Sequence, residues 1–223
     1  MNAKNFKNKV IPKSIEKETF TALSYYPELK DTHITFQFKK DIKKSTMQAQ
    51  PRWASFFKSK KQRAYIILIS KKVKIDDETF KITDVPSDVL IGWLGHELGH
   101  VIDYMERTNL GMLAFGFKYL YSKSHIQEVE RAADTYAVAH GMGEYILKTK
   151  DFILNHAKIS PLYKARIKKL YLSPEEIMQL IEERKVEEVE AWFSIFEESY
   201  SLKWKKPVWY CALFSLAVAK KTR

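Results

Sequence analysis

His96-Glu97-Leu98-Gly99-His100 is the stretch of this chain whose residue types and spacing most directly amount to chemistry. Two histidines four apart on an α-helix are offset by about 40° and one turn of rise, so both imidazoles leave the same face. Nitrogens at that separation can close on one tetrahedral zinc ion. Glu97 projects about 100° round from His96, beside the metal position, where a carboxylate can take a proton from water. A catalytic zinc takes three protein ligands and leaves a fourth position open, so a third ligand must come from elsewhere. Asp103, His125, Glu128, Glu130, Asp134, His140 and His156 are the candidates. Asp103 would sit beyond the metal on the same straight helix and reads as a polar residue near its end. Residues 127–137 form a second helical pattern that carries Glu130 and Asp134 four apart on one face. Ala133 and Ala137 are small enough to let the two helices approach, and Glu128 turns about 200° away from Glu130 toward solvent. His96, His100 and Glu130 are therefore the expected ligands. Asp134 stands behind them to hold an imidazole N–H or an adjacent backbone group. The plainer alternative is that Glu130 is a solvated acid beside Arg131.

The elements that must position these groups are readable in outline. The run Asp84-Val85-Pro86-Ser87-Asp88 is a helix start, with a capping side chain near Ser87 and acids for the positive end of the dipole. Ile91, Leu94, Leu98, Val101, Ile102 and Met105 then recur on a core side, while Trp93, His96, Glu97 and His100 fall on another. Gly92, Gly95 and Gly99 each cost on the order of 1 kcal/mol of helix propensity relative to Ala. They predict close packing against this helix, by a strand or a bound substrate. Residues 14–26 read as a helix ended by Pro27, 33–38 as a half-buried strand and 64–69 as a central strand, with short edges near 72–75 and 80–82. Residues 111–121 and 208–219 read as buried helices, and 175–200 as a long amphipathic helix. The expected architecture is α+β: a small mixed sheet beside the histidine helix and the glutamate helix, with residues 1–172 as the main domain and 173–223 as a helical C-terminal extension packed on it.

The pattern His96-Glu97-Leu98-Gly99-His100 followed by Glu130-Arg131-Ala132-Ala133-Asp134 resembles the H-E-x-x-H … E-x-x-A-D signature of the gluzincin metallopeptidases. It is most similar to HtpX-like and CAAX-prenyl-protease-type enzymes and their compact relatives, the minigluzincins. Ser160-Pro161-Leu162-Tyr163-Lys164-Ala165-Arg166-Ile167 looks like the H-P-x-x-x-x-R-I segment that follows the glutamate helix there, with Ser160 where the family often carries His. The resemblance spans roughly residues 30–172. It implies a zincin-like fold, Zn²⁺ held by His96, His100 and Glu130, Glu97 as general base, and hydrolysis of peptide bonds. Oxyanion stabilisation would fall to Arg166, His156 or a tyrosine such as Tyr136. It carries no particular substrate.

Composition bounds the rest. The chain has 223 residues with seven Gly and seven Pro, enough for a real core and too few breakers for long linkers. A basic, polar N terminus without an apolar signal stretch, and a single Cys211, fit a reducing compartment and a cytoplasmic location. The apolar run at 208–219, bracketed by lysines, is shorter than the ~20 residues a spanning helix needs. An alternative makes it an interfacial anchor, peripheral on an anionic membrane. Net charge is +11, with lysine clusters at 39–44, 58–61 and 71–74 but no nucleic-acid motif. Solvated surface and protected sheet edges account for them. The expected partner is a peptide or protein substrate held extended along a sheet edge. The competing classes are a catalytically silent zincin-fold binding or regulatory protein, and an amidohydrolase using Cys211 as a ligand, which its apolar, glycine-free surroundings disfavour.

Overall fold

The apolar run at 64–69 becomes the strand on which the sheet is built. In this computed structural model, which describes residues 6–40, 42, 45–56, 58–59, 62–75, 78–155 and 161–201, the first strands are β1 (Lys9–Val10), β2 (His33–Lys39), β3 (Met47–Pro51) and β4 (Ala64–Ser70). They form one sheet in the order β1-β2-β4-β3, with β2 parallel to β1 and β4, and β3 antiparallel to β4. Tyr65, Ile67 and Ile69 are buried while Ile66 and Leu68 are half-buried, as a strand with both faces covered requires. Strands β5 (Lys72–Ile75) and β6 (Glu78–Lys81) pair only with each other, so the short edges expected near 72–82 make a separate ribbon. Neither β1 nor β3 was expected. Met47-Gln48-Ala49-Gln50-Pro51 has none of the β-branched residues that mark a strand.

Six further helices matter for the site: α1 (Glu16–Leu23), α3 (Ser87–Glu106), α4 (Asn109–Tyr121), α5 (Lys123–Ala137), α6 (Gly143–Asn155) and α7 (Pro161–Leu170), with a single-turn α2 (Trp53–Phe56) between β3 and β4. Helix α3 is the element about which the others gather, packed on α1, α5, α6 and β3. Residues 89–104 are buried on every side, so the expected division into core face and site face dissolves. Its start also differs from expectation. No side chain caps it, and the Ser87 hydroxyl instead donates to Glu18 Oε1 at 2.9 Å, tying α3 to α1.

The glycines of α3 serve helices, and neither a strand nor a substrate. A Cβ at Gly99 would meet the Ala133 carbonyl oxygen at 2.5 Å and Ala133 Cα at 3.2 Å, so α5 lies directly on the α3 backbone there. Between α5 and α6 a π-type turn, Val138–Met142, contains Gly141 at φ 87°, a left-handed conformation that a Cβ resists. The turn redirects the chain so that α6 also packs on α3. The buried Arg63 at the head of β4 donates to the Tyr104 carbonyl at 2.9 Å and to Asn109 Oδ1 at 2.5 Å. A guanidinium thus satisfies the C-terminal end of α3 and anchors the entry to α4.

The chain divides into two compact units, Met1–Ile181 and Glu182–Arg223. Helix α8 (Pro174–Ser201) begins in the first, opened by a capping box in which Glu176 N–H donates to Ser173 Oγ at 3.2 Å and Ser173 N–H to Glu176 Oε2 at 2.8 Å. In the second unit its residues Val186, Val189 and Trp192 are exposed. The fold is α+β, and no described helix is long and apolar enough to cross a membrane. His156, Ser160 and the run 208–219 with Cys211 lie outside the described residues.

Candidate metal centre

The close approach of α5 to α3 at Gly99 brings the glutamate of one helix onto the histidines of the other. His96 Nε2 lies 3.1 Å and His100 Nε2 3.4 Å from the same oxygen, Glu130 Oε2. The three ligand atoms all fall within 4.8 Å of one another, and among the described residues this is the one such cluster of His, Cys, Asp or Glu. Tetrahedral ligands about 2.1 Å from a zinc ion stand about 3.4 Å apart, so both separations have the size of edges of one coordination shell.

The surroundings reinforce that geometry. His96 Nδ1 lies 2.8 Å from Asp134 Oδ1. An ionised carboxylate only accepts, so the ring proton sits on Nδ1 and Nε2 is left to face Glu130. Two lone pairs cannot face each other at 3.1 Å without a cation or a proton between them. Burial opposes a charged ring, but hydrogen bonds to Asp134 and Glu130 outweigh it and push His96 up to about 10. Burial likewise opposes the charge on Glu130, yet the two imidazoles hold it well below the usual carboxylate range. Asp134, also buried, is held low by Lys150 and His96. His100 Nδ1 is buried with no hydrogen-bond partner among the described residues. Two imidazole nitrogens and a carboxylate oxygen converging this way suit a divalent ion of zinc's ligand preference.

Glu97 stands beside the cluster and outside it, as its place on the helix predicts. Its Oε2 accepts the Ala49 N–H at 2.6 Å, and Tyr104 donates to the Ala49 carbonyl at 3.4 Å. Both backbone groups of Ala49 therefore point away from β4 and toward α3, which makes β3 the sheet edge that faces the site. Burial raises the pKa of Glu97, partly countered by His100 and His96.

No family model, curated protein or solved structure matches this chain. What the site can do follows from its own atoms.

Asp134 is the hub behind the ligands, accepting from Lys150 Nζ at 2.8 Å and from the Leu172 N–H at 3.1 Å as well as from His96. The buried Lys150 also lies 4.2 Å from the Tyr171 ring centroid. Arg166, with Tyr163 and Tyr171, lines a cavity of about 40 Å³ beside His96 and Glu97. Tyr119 donates to Glu130 Oε1 at 3.4 Å, and burial and Glu130 push it up to about 12, so it is a neutral donor.

Other expected candidates go elsewhere. Tyr136 is a correction: its hydroxyl donates to Glu106 Oε2 at 2.5 Å, away from the cluster. Asp103 pairs with Arg107 at 2.8 Å, Glu128 is exposed with His125 at 3.3 Å, and His140 bonds Glu28 and the Tyr136 carbonyl. Ala49, Tyr104, Tyr119 and Lys150 were missed. Only Lys150 left a signal, a lone cation at a core position of the Ile146, Thr149, Ile153 pattern. The others depend on contacts between distant parts of the chain.

Proposed function

We propose that this chain is a zinc-dependent peptidase with a zincin-like fold, resembling the gluzincins. His96, His100 and Glu130 would hold the ion and Glu97 would act as general base. One observation carries the reading: two imidazole nitrogens and one carboxylate oxygen from separate helices converge at coordination-shell distances, with an uncoordinated Glu97 carboxylate beside them.

A bound zinc ion would supply Lewis acidity to an attacking water and to the scissile carbonyl. Glu97 would accept the proton of that water and return it to the leaving amine. The Ala49 N–H fixes the rotamer of the carboxylate. Asp134 keeps the His96 proton on Nδ1, and Lys150 and the Leu172 N–H keep Asp134 in place. Arg166 and Tyr163 line the cavity beside the base and would supply donors for the charge that develops on the carbonyl oxygen. An extended peptide would lie along β3, pairing at Met47 and leaving the Ala49 N–H to Glu97. Pro51 offers no N–H, which limits that pairing to one end of the strand.

A second reading is a zincin-like protein that holds metal without turnover. Its support is enclosure: His96, Glu97, His100 and Glu130 are 8, 7, 6 and 6% exposed, and the adjoining cavity of about 40 Å³ has room for only a few waters. The two readings separate in a mixed-peptide cleavage assay with the zinc-loaded protein. Cleavage that a chelator removes and Glu97→Ala abolishes, with zinc still bound to that variant, supports the peptidase. Full zinc occupancy without cleavage of any peptide supports the silent protein.

A further inference from the structure

Helix α4 has two apolar faces, and described residues cover only one of them. Its inner face lies against the site: Met112 and Phe115 are buried, Phe115 meets Tyr104 and His125 with ring centroids at 5.4 and 5.3 Å, and Tyr119 reaches Glu130. Its outer face carries Leu110, Leu113, Ala114, Phe117 and Tyr121, which fall within an arc of about 100° on a helical projection. Leu110, Leu113, Phe117 and Tyr121 are 79, 50, 67 and 76% exposed. The Phe117 and Tyr121 rings lie 4.8 Å apart, and a Cβ at Gly116 would meet nothing within 4 Å. A helix at the surface of a protein normally turns a polar face outward.

Three physical facts select an occupant for this face. At ordinary side-chain areas the four large residues leave roughly 500 Å² exposed, above scattered surface apolarity but short of the ~800 Å² per partner that a stable dimer buries. Thirteen helical residues span about 20 Å, too short to cross a hydrocarbon core of about 30 Å but long enough to lie in its boundary. Lys118 is exposed at the rim of the stripe and Lys123 is exposed just past its end, on a chain of net charge +11. An apolar stripe with a terminal tyrosine and a basic rim is complementary to anionic headgroups over acyl chains.

We propose that α4 is a membrane-docking face. Leu110, Leu113, Phe117 and Tyr121 enter the headgroup–acyl boundary of an anionic bilayer while Phe115 and Tyr119 stay on the site. The His96–His100–Glu130 cluster then lies about one helix diameter, on the order of 10 Å, from the lipid. Docking needs no hydrolysis, so its test is independent of peptide cleavage.

The test is cosedimentation of the full chain with phosphatidylcholine vesicles, with and without a fraction of phosphatidylglycerol. Binding is expected on the anionic vesicles and should weaken with added salt. Leu113→Ser combined with Phe117→Ser should reduce it by at least about tenfold while far-UV dichroism stays unchanged. The indole introduced by Phe117→Trp reports the face itself, and brominated lipid should quench the added emission. Undiminished vesicle binding by the double variant, or no quenching of that indole, overturns the proposal. So does a wild-type dimer in sedimentation velocity that the double variant makes monomeric without any vesicle binding, because the face then belongs to a second copy.

Discussion

Helices α4 and α5 are neighbours in sequence, each starts at a hydroxyl cap, and both reach the His96–His100–Glu130 cluster, yet they break the rules of burial in opposite directions. Thr108 caps α4 by accepting from the Gly111 N–H, and Ser122 caps α5 by accepting from the His125 N–H. Helix α5 turns two carboxylates inward, Glu130 and Asp134, and every one of their oxygens meets an imidazole, Lys150, Tyr119 or the Leu172 N–H. Helix α4 turns four large apolar side chains outward, where described residues leave each of them at least half exposed. Inward charge costs several kcal/mol unless it is paired, and here it is paired within the molecule. Outward apolar surface is a smaller cost, and here its match lies outside the described molecule. Departures of this kind, where the local preference of a residue loses to its position, mark function more reliably than composition does.

The two faces of α4 should differ most in stability. Phe115→Ala removes a buried ring and is expected to cost about 3–5 kcal/mol, whereas Phe117→Ala should stay within about 0.5 kcal/mol of wild type. Urea denaturation of both variants checks this, and a large loss at Phe117 would mean that its face is covered within the protein.

The contrast between the helices also explains what the sequence discloses. Glu130 and Asp134 are recognisable because four-residue spacing puts them on one face of a helix and His96 and His100 demand a partner. Strands β2 and β4 are recognisable from alternation and from an unbroken apolar run. Residues 111–121 read as a buried helix, and the structure corrects this to half-buried, because an apolar composition all round a helix does not say which side meets the core. The partnership of Ala49 with Glu97 spans 48 residues, and no local pattern encodes it.

The inward charges of α5 should show a graded response. Asp134→Asn keeps the shape but weakens both the acceptor for His96 and the partner of Lys150, so zinc affinity should fall about 10–100-fold with the fold retained. Competition against a fluorescent chelator measures it. Unchanged affinity would show that Asp134 only packs.

The smallest effect belongs to the outer side of α5, where Arg131 meets Glu176 at 2.5 and 3.2 Å. The Arg131 hydrogen bond and the Ser173 N–H hold Glu176 at about 2, below the usual 4.5. A carboxylate held low contributes stability that is full above its unfolded pKa and is lost as pH falls through the folded one. The stability difference between wild type and Glu176→Gln should therefore be constant above pH 4.5 and shrink as pH falls from there toward about 2. The pair is well exposed, so the difference itself should be small. A difference that grows with acidification would contradict the assignment.

The most direct test of the central claim is the zinc content of the purified protein after dialysis in metal-free buffer and reloading, measured by mass spectrometry on wild type, Glu97→Ala, His96→Ala and Glu130→Ala. Wild type and Glu97→Ala should each retain about one ion per chain, as expected for a catalytic zinc site with three protein ligands, while the other two lose it. An ion that survives both His96→Ala and Glu130→Ala, or a wild-type chain that retains none, would contradict the account.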